Sequence, residues 1–114
     1  METKPEISIS DLERIDVRVG TILQVLDIEG SRSLVELRVD FGDEVRAILA
    51  GLKGEREDPT EVEGLQALFV TNVEPRQMMG RTSEGMLFDI GYADGITPAL
   101  AIPERAVPNG TRAG

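Results

Sequence analysis

The stretch Val35-Glu-Leu-Arg-Val-Asp-Phe-Gly-Asp-Glu-Val-Arg-Ala-Ile-Leu-Ala-Gly51 carries the pattern from which the fold can be read. Val35, Leu37, Val39 and Phe41 alternate with Glu36, Arg38 and Asp40, and this period of two predicts a strand with one apolar and one polar face. Gly42-Asp43 supplies a turn. Glu44–Gly51, rich in β-branched residues and alanine, then predicts the return strand. Upstream, Val17, Val19, Ile22, Val25 and Ile28 form an apolar series within Ile15–Ile28, interrupted by Gly20. This predicts one long strand bent at the glycine, which suits a small barrel. The three strands make a meander.

Downstream, Asp58-Pro59-Thr60-Glu61 has the order N-cap, N1 proline, then acid in the first turn, so a short helix is expected before Gly64. A fourth strand is read at Gln66–Val73, a loop at Glu74–Thr82 and a fifth strand at Ser83–Ile90. A further short strand fits Thr97–Ile102. Five strands with a helix between the third and fourth give an all-β class, a five-stranded Greek-key barrel of the OB type with short helices. Ser10-Asp-Leu-Glu13 fits a capping box and predicts a helical turn at the domain's start. Residues 1–9 are then a flexible extension and residues 10–114 a single domain, as suits a length of 114 residues. Phe41, Phe69, Phe88 and Tyr92 are expected in the core.

Histidine and cysteine are both absent, which removes imidazole and thiolate chemistry, disulfides and nearly every zinc site. No spacing singles out a nucleophile–base pair, so the reading is of a non-enzyme with no cofactor and no metal. Gly80–Gly85 lies near a phosphate-loop pattern, but Met86 stands where the lysine belongs and a strand follows instead of a helix. No apolar run is long enough to span a membrane, and METKPEISIS lacks the apolar core of a secretion signal. A cytoplasmic location is therefore expected, and Asn109-Gly-Thr111 reads as a turn. The net charge of −9 argues against a broad nucleic-acid surface. Of the 12 basic residues only Lys4 and Lys53 are lysines, against 21 acids. That skew points to a salt-adapted, halophilic surface, on which arginines work by hydrogen-bond geometry.

Four stretches, in order, carry a resemblance over residues 10–112: Ile15-Asp-Val-Arg-Val-Gly-Thr-Ile22, Leu37–Arg46 running on to Ala50-Gly-Leu52, Asn72–Met86, and Ile102-Pro-Glu-Arg-Ala-Val-Pro-Asn-Gly110. The chain resembles the tRNA-binding OB-fold family that includes stand-alone dimeric tRNA-binding proteins, the C-terminal domain of methionyl-tRNA synthetases and the CsaA chaperone. The resemblance implies a free-standing, non-catalytic homodimer that binds the outer corner of tRNA by shape and needs no cofactor. It also implies an aminoacyl-tRNA synthetase as a further partner, and a role in aminoacylation or tRNA structure. The alternative within the family is a CsaA-like chaperone that holds unfolded preproteins for export.

The RNA-binding positions that the resemblance implies are Asn72, Arg76, Met78, Arg81, Ser83, Glu84 and Met86, with Arg32 and Lys53 as flanking cations. Arg76 and Arg81 suit bidentate contact with phosphates. Asn72 and Ser83 suit sugar or base edges, Met78 and Met86 offer soft apolar surface beneath an unstacked base, and Glu84 can orient an arginine. Taken without the resemblance, loop arginines are as readily solvated and the methionines as readily core. The turn Glu29-Gly-Ser-Arg-Ser33 keeps Arg32 as its only cation where the family is more basic. Ile102, Pro103, Val107 and Pro108 are expected at a twofold interface, the C-terminal dimerisation segment; barrel closure within one chain is the alternative.

Overall fold

A computed structural model describes all residues, Met1–Gly114. A four-residue helix, α1 (Ile9–Leu12), precedes β1 (Val17–Asp27), the long strand on which the barrel is built. The alternating stretch forms β2 (Val35–Asp40) and β3 (Val45–Ala50), antiparallel with Val35 opposite Ala50 and Asp40 opposite Val45. Asp58 accepts from the amide of Thr60 and caps the expected short helix, a 3₁₀ turn at Pro59–Val62. Next come β4 (Gln66–Val70), β5 (Arg76–Met78), β6 (Arg81–Ser83) and β7 (Met86–Leu87). The pair β8 (Asp89–Ile90) and β9 (Ala99–Leu100) stands off the main sheet, and β10 (Arg112–Ala113) ends the chain.

The main sheet runs β3-β2-β1-β4-β7, with β10 also on β1. The N-terminal half of β1 pairs with β4 and β10 and its C-terminal half with β2, so one strand serves both walls. The sheet curls on itself, and the Glu84 amide donates to the Ala47 carbonyl at 2.8 Å where the fifth-strand segment meets β3. This is the expected all-β barrel of OB type. Ile22, Leu37, Ile48, Leu52 and Phe69 fill its interior, with Phe41 edge-on to Phe69 at 5.6 Å between ring centres. Burial of such side chains, about 1.5–3 kcal/mol each, is the main favourable contribution.

Several boundaries differ from expectation for identifiable reasons. The capping box is Ser8-Ile-Ser-Asp11, two residues before the Ser10–Glu13 frame, so the segment expected to be loose already holds the helix cap. A helix starting at Ser10 would run into Arg14–Asp16, where the Arg14 carbonyl accepts from the Asn72 side chain and the Asp16 amide donates to it. The irregularity in β1 lies between Ile22 and Gln24, where Leu23 is the extra residue, and not at Gly20. Gly20 is instead a place of close approach, since a Cβ there would lie 2.5 Å from Cγ1 of Val39 and 2.9 Å from the Phe41 ring. The fifth strand, expected unbroken over Ser83–Ile90, is split into short pieces, and β10 had no expectation. Phe88 and Tyr92 are exposed, not core.

Gly20→Ala is expected to lower the unfolding free energy by about 1–3 kcal/mol through overpacking against Val39 and Phe41. Urea unfolding followed by circular dichroism would check this, and full stability of the variant would refute the packing argument.

Candidate nucleic-acid interface

The segment expected as a loop, Glu74–Thr82, is mostly a tight β-hairpin. Met79-Gly80 forms its two-residue turn with φ of +53° and +73°, the combination of a type I′ hairpin turn, and Met79 is the only non-glycine residue with positive φ. Gly80 is therefore a turn glycine, not a point of close backbone approach; no atom lies within 4 Å of where its Cβ would stand. Arg76 faces Ser83 and Met78 faces Arg81 across the ladder, which puts these four side chains on one face. That face is turned to the barrel. The Ser83 hydroxyl accepts from the Leu49 amide at 3.0 Å and donates to the Gly85 carbonyl at 2.9 Å. Arg81 Nη1 donates to Glu36 Oε1 at 3.1 Å, so the hairpin is fastened at its second strand.

Between the hairpin and the barrel wall runs an open groove of about 620 Å³. Arg76, Met78 and Met86 line it, joined by Phe88 and Tyr92, while Glu55 and Asp89 also face it. Tyr92 is 76% exposed and Phe88 48%. Two aromatic faces thus stand beside an arginine that makes no ion pair in the structure, an arrangement able to stack bases and hold a phosphate. The aromatics were missed because Phe88 sits in an alternating run that reads as core; Tyr92, just past the split strand, lies on a 3₁₀ turn. Arg32 and Glu84 are exposed. A methyl group at Gly30 would lie 3.8 Å from Met79 Cε, so the turn bearing Arg32 adjoins the hairpin tip.

Three expected contact residues also make hydrogen bonds within the chain. Ser83 is only 1% exposed and both functions of its hydroxyl are taken, so it anchors the hairpin and is not presented to a ligand. Asn72 accepts from the Asp16 amide at 3.0 Å and donates to the Arg14 carbonyl at 2.7 Å, clasping the chain that leads into β1. Lys53 Nζ donates to the carbonyls of Ile28 and Ser31, both at 2.8 Å, and pairs with Asp27 at 2.7 Å. It braces the β1–β2 turn. At the C-terminus, Val107 exchanges hydrogen bonds with the Gln66 amide, Asn109 accepts from Thr21, and β10 joins β1. This segment therefore completes its own barrel. Ile102 is exposed, as are Ile90 and Ile96.

A second, smaller cleft of about 170 Å³ is lined by Asp16, Arg18, Glu44 and Arg46, whose charges pair with one another. The Arg18 hydrogen bond holds Asp16 below the usual carboxylate range. In the large groove the opposite holds. Burial pushes the Glu55 carboxyl up, Asp89 adds to the rise, and Arg56 opposes it only in part. A carboxyl raised in the folded state favours folding fully below its unfolded pKa, and that contribution is lost as pH rises through the folded value. Glu55→Gln is thus expected to stabilise the protein at neutral pH, the gain vanishing on acidification through the carboxylate range. Thermal unfolding of both proteins across pH would check this; a gain independent of pH would contradict it.

No helix is long and apolar enough to cross a membrane. Residues 17–112 match the family described as "Putative tRNA binding domain". The chain is 38% identical over 112 residues to a methionine–tRNA ligase of Archaeoglobus fulgidus, covering 98% of this chain but only 17% of that protein. Its fold superposes on a methionyl-tRNA-synthetase-related protein from Pyrococcus horikoshii with a TM-score of 0.88 at 29% identity, covering 97% of this chain and all of the other. The chaperone CsaA of Bacillus anthracis shares the fold, with a TM-score of 0.85 at 24% identity over 96% of this chain and all of that one. With the profile match running from the first residue of β1 into β10, the chain belongs to the tRNA-binding domain family.

Proposed function

We propose that this chain recognises the outer corner of tRNA by shape, as a non-catalytic homodimer, through the β5–β6 hairpin and the groove beside it. The observation that carries the reading is the grouping of unpaired Arg76 with Met78, Met86, Phe88 and Tyr92 along one groove. Phosphate contact by Arg76 positions the RNA, and the apolar faces accept unstacked bases, so no basic field is required. Arg32, in the turn beside the hairpin tip, and Glu84, at the hairpin base, are both exposed. Ser83 holds the hairpin from beneath, while the exposed Asn72 and the half-buried Lys53 brace the strand entry and the β1–β2 turn. The scarcity of lysine supports a salt-adapted surface, on which site geometry counts for more than long-range attraction.

Similarity to part of a methionine–tRNA ligase supports a role beside a synthetase. The exposed Ile90, Ile96 and Ile102 support pairing of two copies through this face, with Pro103 and Pro108 beside it. The same apolar groove also suits an unfolded chain, which keeps a chaperone role as the second reading.

Arg76→Ala is expected to weaken binding of bulk tRNA about tenfold at fixed salt and to lower the slope of log affinity against log salt by about one. Gel-shift titration across potassium chloride concentrations measures both. An unchanged titration would remove the groove from the site; no tRNA binding at any salt, with suppressed aggregation of a denatured client, would move the function to the chaperone. Separately, Ile102→Asp is expected to reduce the mass measured by light scattering from twice the 12.4 kDa chain to one. A wild-type mass of one chain would overturn the dimer.

A further inference from the structure

We infer that the buried carboxylate of Glu36 holds Arg38 and Arg81 as a paired phosphate clamp on the outer face of β2, adding Arg38 to the surface that contacts tRNA. The inference rests on the tRNA reading above and extends its site from the hairpin onto the sheet. Glu36 is the only carboxylate shared by two arginines: Oε2 accepts from Arg38 Nε at 2.8 Å and Oε1 from Arg81 Nη1 at 3.1 Å. The other ion pairs, Asp16–Arg18, Glu44–Arg46, Asp27–Lys53, Glu61–Arg56 and Glu104–Arg105, join one acid to one base and cancel. Two cations on one anion leave a net positive charge. On a chain of net charge −9, this is the one ion-paired cluster that remains attractive to a phosphate.

The burial is arranged to suit that use. The Glu36 side chain is 6% exposed, whereas those of Arg38 and Arg81 are 47% and 41% exposed. The anion is hidden beneath the hairpin and the cations stand in front of it. Each guanidinium carries five N–H donors and commits one to Glu36, leaving the rest of a planar fork for phosphate oxygens. The carboxylate sits opposite Leu49 of β3 and two residues before Arg38, on the face of β2 that points away from the core. That face of strands two and three is where an OB barrel has room for a nucleic-acid strand. Arg38 contacts phosphate directly, while Glu36 acts only through the arginines and is a positioning residue.

Glu36→Gln separates positioning from bulk charge, because the two predict opposite signs. Removing a negative charge from an acidic protein tightens tRNA binding if only the field matters. A carboxamide offers one acceptor oxygen and turns an amide toward the second arginine, so loss of the clamp weakens binding. We expect tRNA affinity to fall about tenfold in Glu36→Gln at fixed salt. Tighter or unchanged binding would overturn the inference. Arg38→Ala leaves the Arg81–Glu36 contact, and so the hairpin, in place, and it carries the test if Glu36→Gln does not fold. It is expected to reduce the salt slope by about one, with Arg38→Lys restoring the slope but not the affinity. An unchanged slope in Arg38→Ala would reject Arg38 as a contact. Failure of the wild-type protein to bind tRNA at any salt would instead overturn the functional reading beneath both.

Discussion

Everything in this barrel depends on β1 being shared between its two walls. Val17–Thr21 pair with β4 while Thr21–Asp27 pair with β2, so Thr21 is the residue at which the strand passes from one partner to the other. A flat strand could not serve both. The extra residue at Leu23 adds local twist, and Gly20 lets Val39 and Phe41 come within a distance that no side chain would permit. β10 then covers the free edge of β1 at its start, joined by the Gly110 amide to the Val19 carbonyl at 2.7 Å. The C-terminal segment is therefore part of the same closure, and only its outward side chains are free to meet another copy.

That closure determines where the side chains of the candidate site stand. With β3 meeting the fifth-strand segment, the β5–β6 hairpin folds back over the outer face of β2 and β3, pinned by Ser83 and by the pair Arg81–Glu36. The hairpin leaves a groove along one side, and the split fifth strand turns Phe88 toward it. Rigid hairpin, groove and aromatics follow from one topological fact, the splitting of the fifth strand at Glu84-Gly85.

The period-two pattern of Val35–Phe41 and the cap at Asp58-Pro59 were legible in the sequence because each is a local signal with a local cause. The hairpin was not, since Met79-Gly80 lacks the Asn-Gly or Asp-Gly signature and Met79 adopts its positive φ only because the strands on either side pair. In the candidate site the residues were legible in the sequence, but not how each is held. Asn72, Ser83 and Lys53 look in sequence like any ligand-facing polar residue, and only long-range hydrogen bonds to Asp16, Leu49 and Ile28 reveal them as supports. Glu36 escaped notice for the converse reason: an acid on the polar face of a strand is ordinarily solvated, and nothing local announces that a hairpin will cover it.

The charge distribution resolves the tension between an acidic chain and an anionic ligand. Seven of its 12 basic side chains are ion-paired within the fold, five of them one to one with a carboxylate, and on a chain of net charge −9 the molecule presents no attractive field at long range. Where salt is high the Debye length contracts to roughly 3 Å, and the distant acids neither attract nor repel. Contact then depends on what lies within hydrogen-bonding reach. An unpaired arginine beside aromatic faces, and two arginines braced on one hidden carboxylate, are features that keep their effect under those conditions, because they act through donor geometry and burial. On the reading proposed above, such a surface discriminates by the fit of a folded RNA against it, since a polyanion that failed to place its phosphates and bases at those few points would gain no contact.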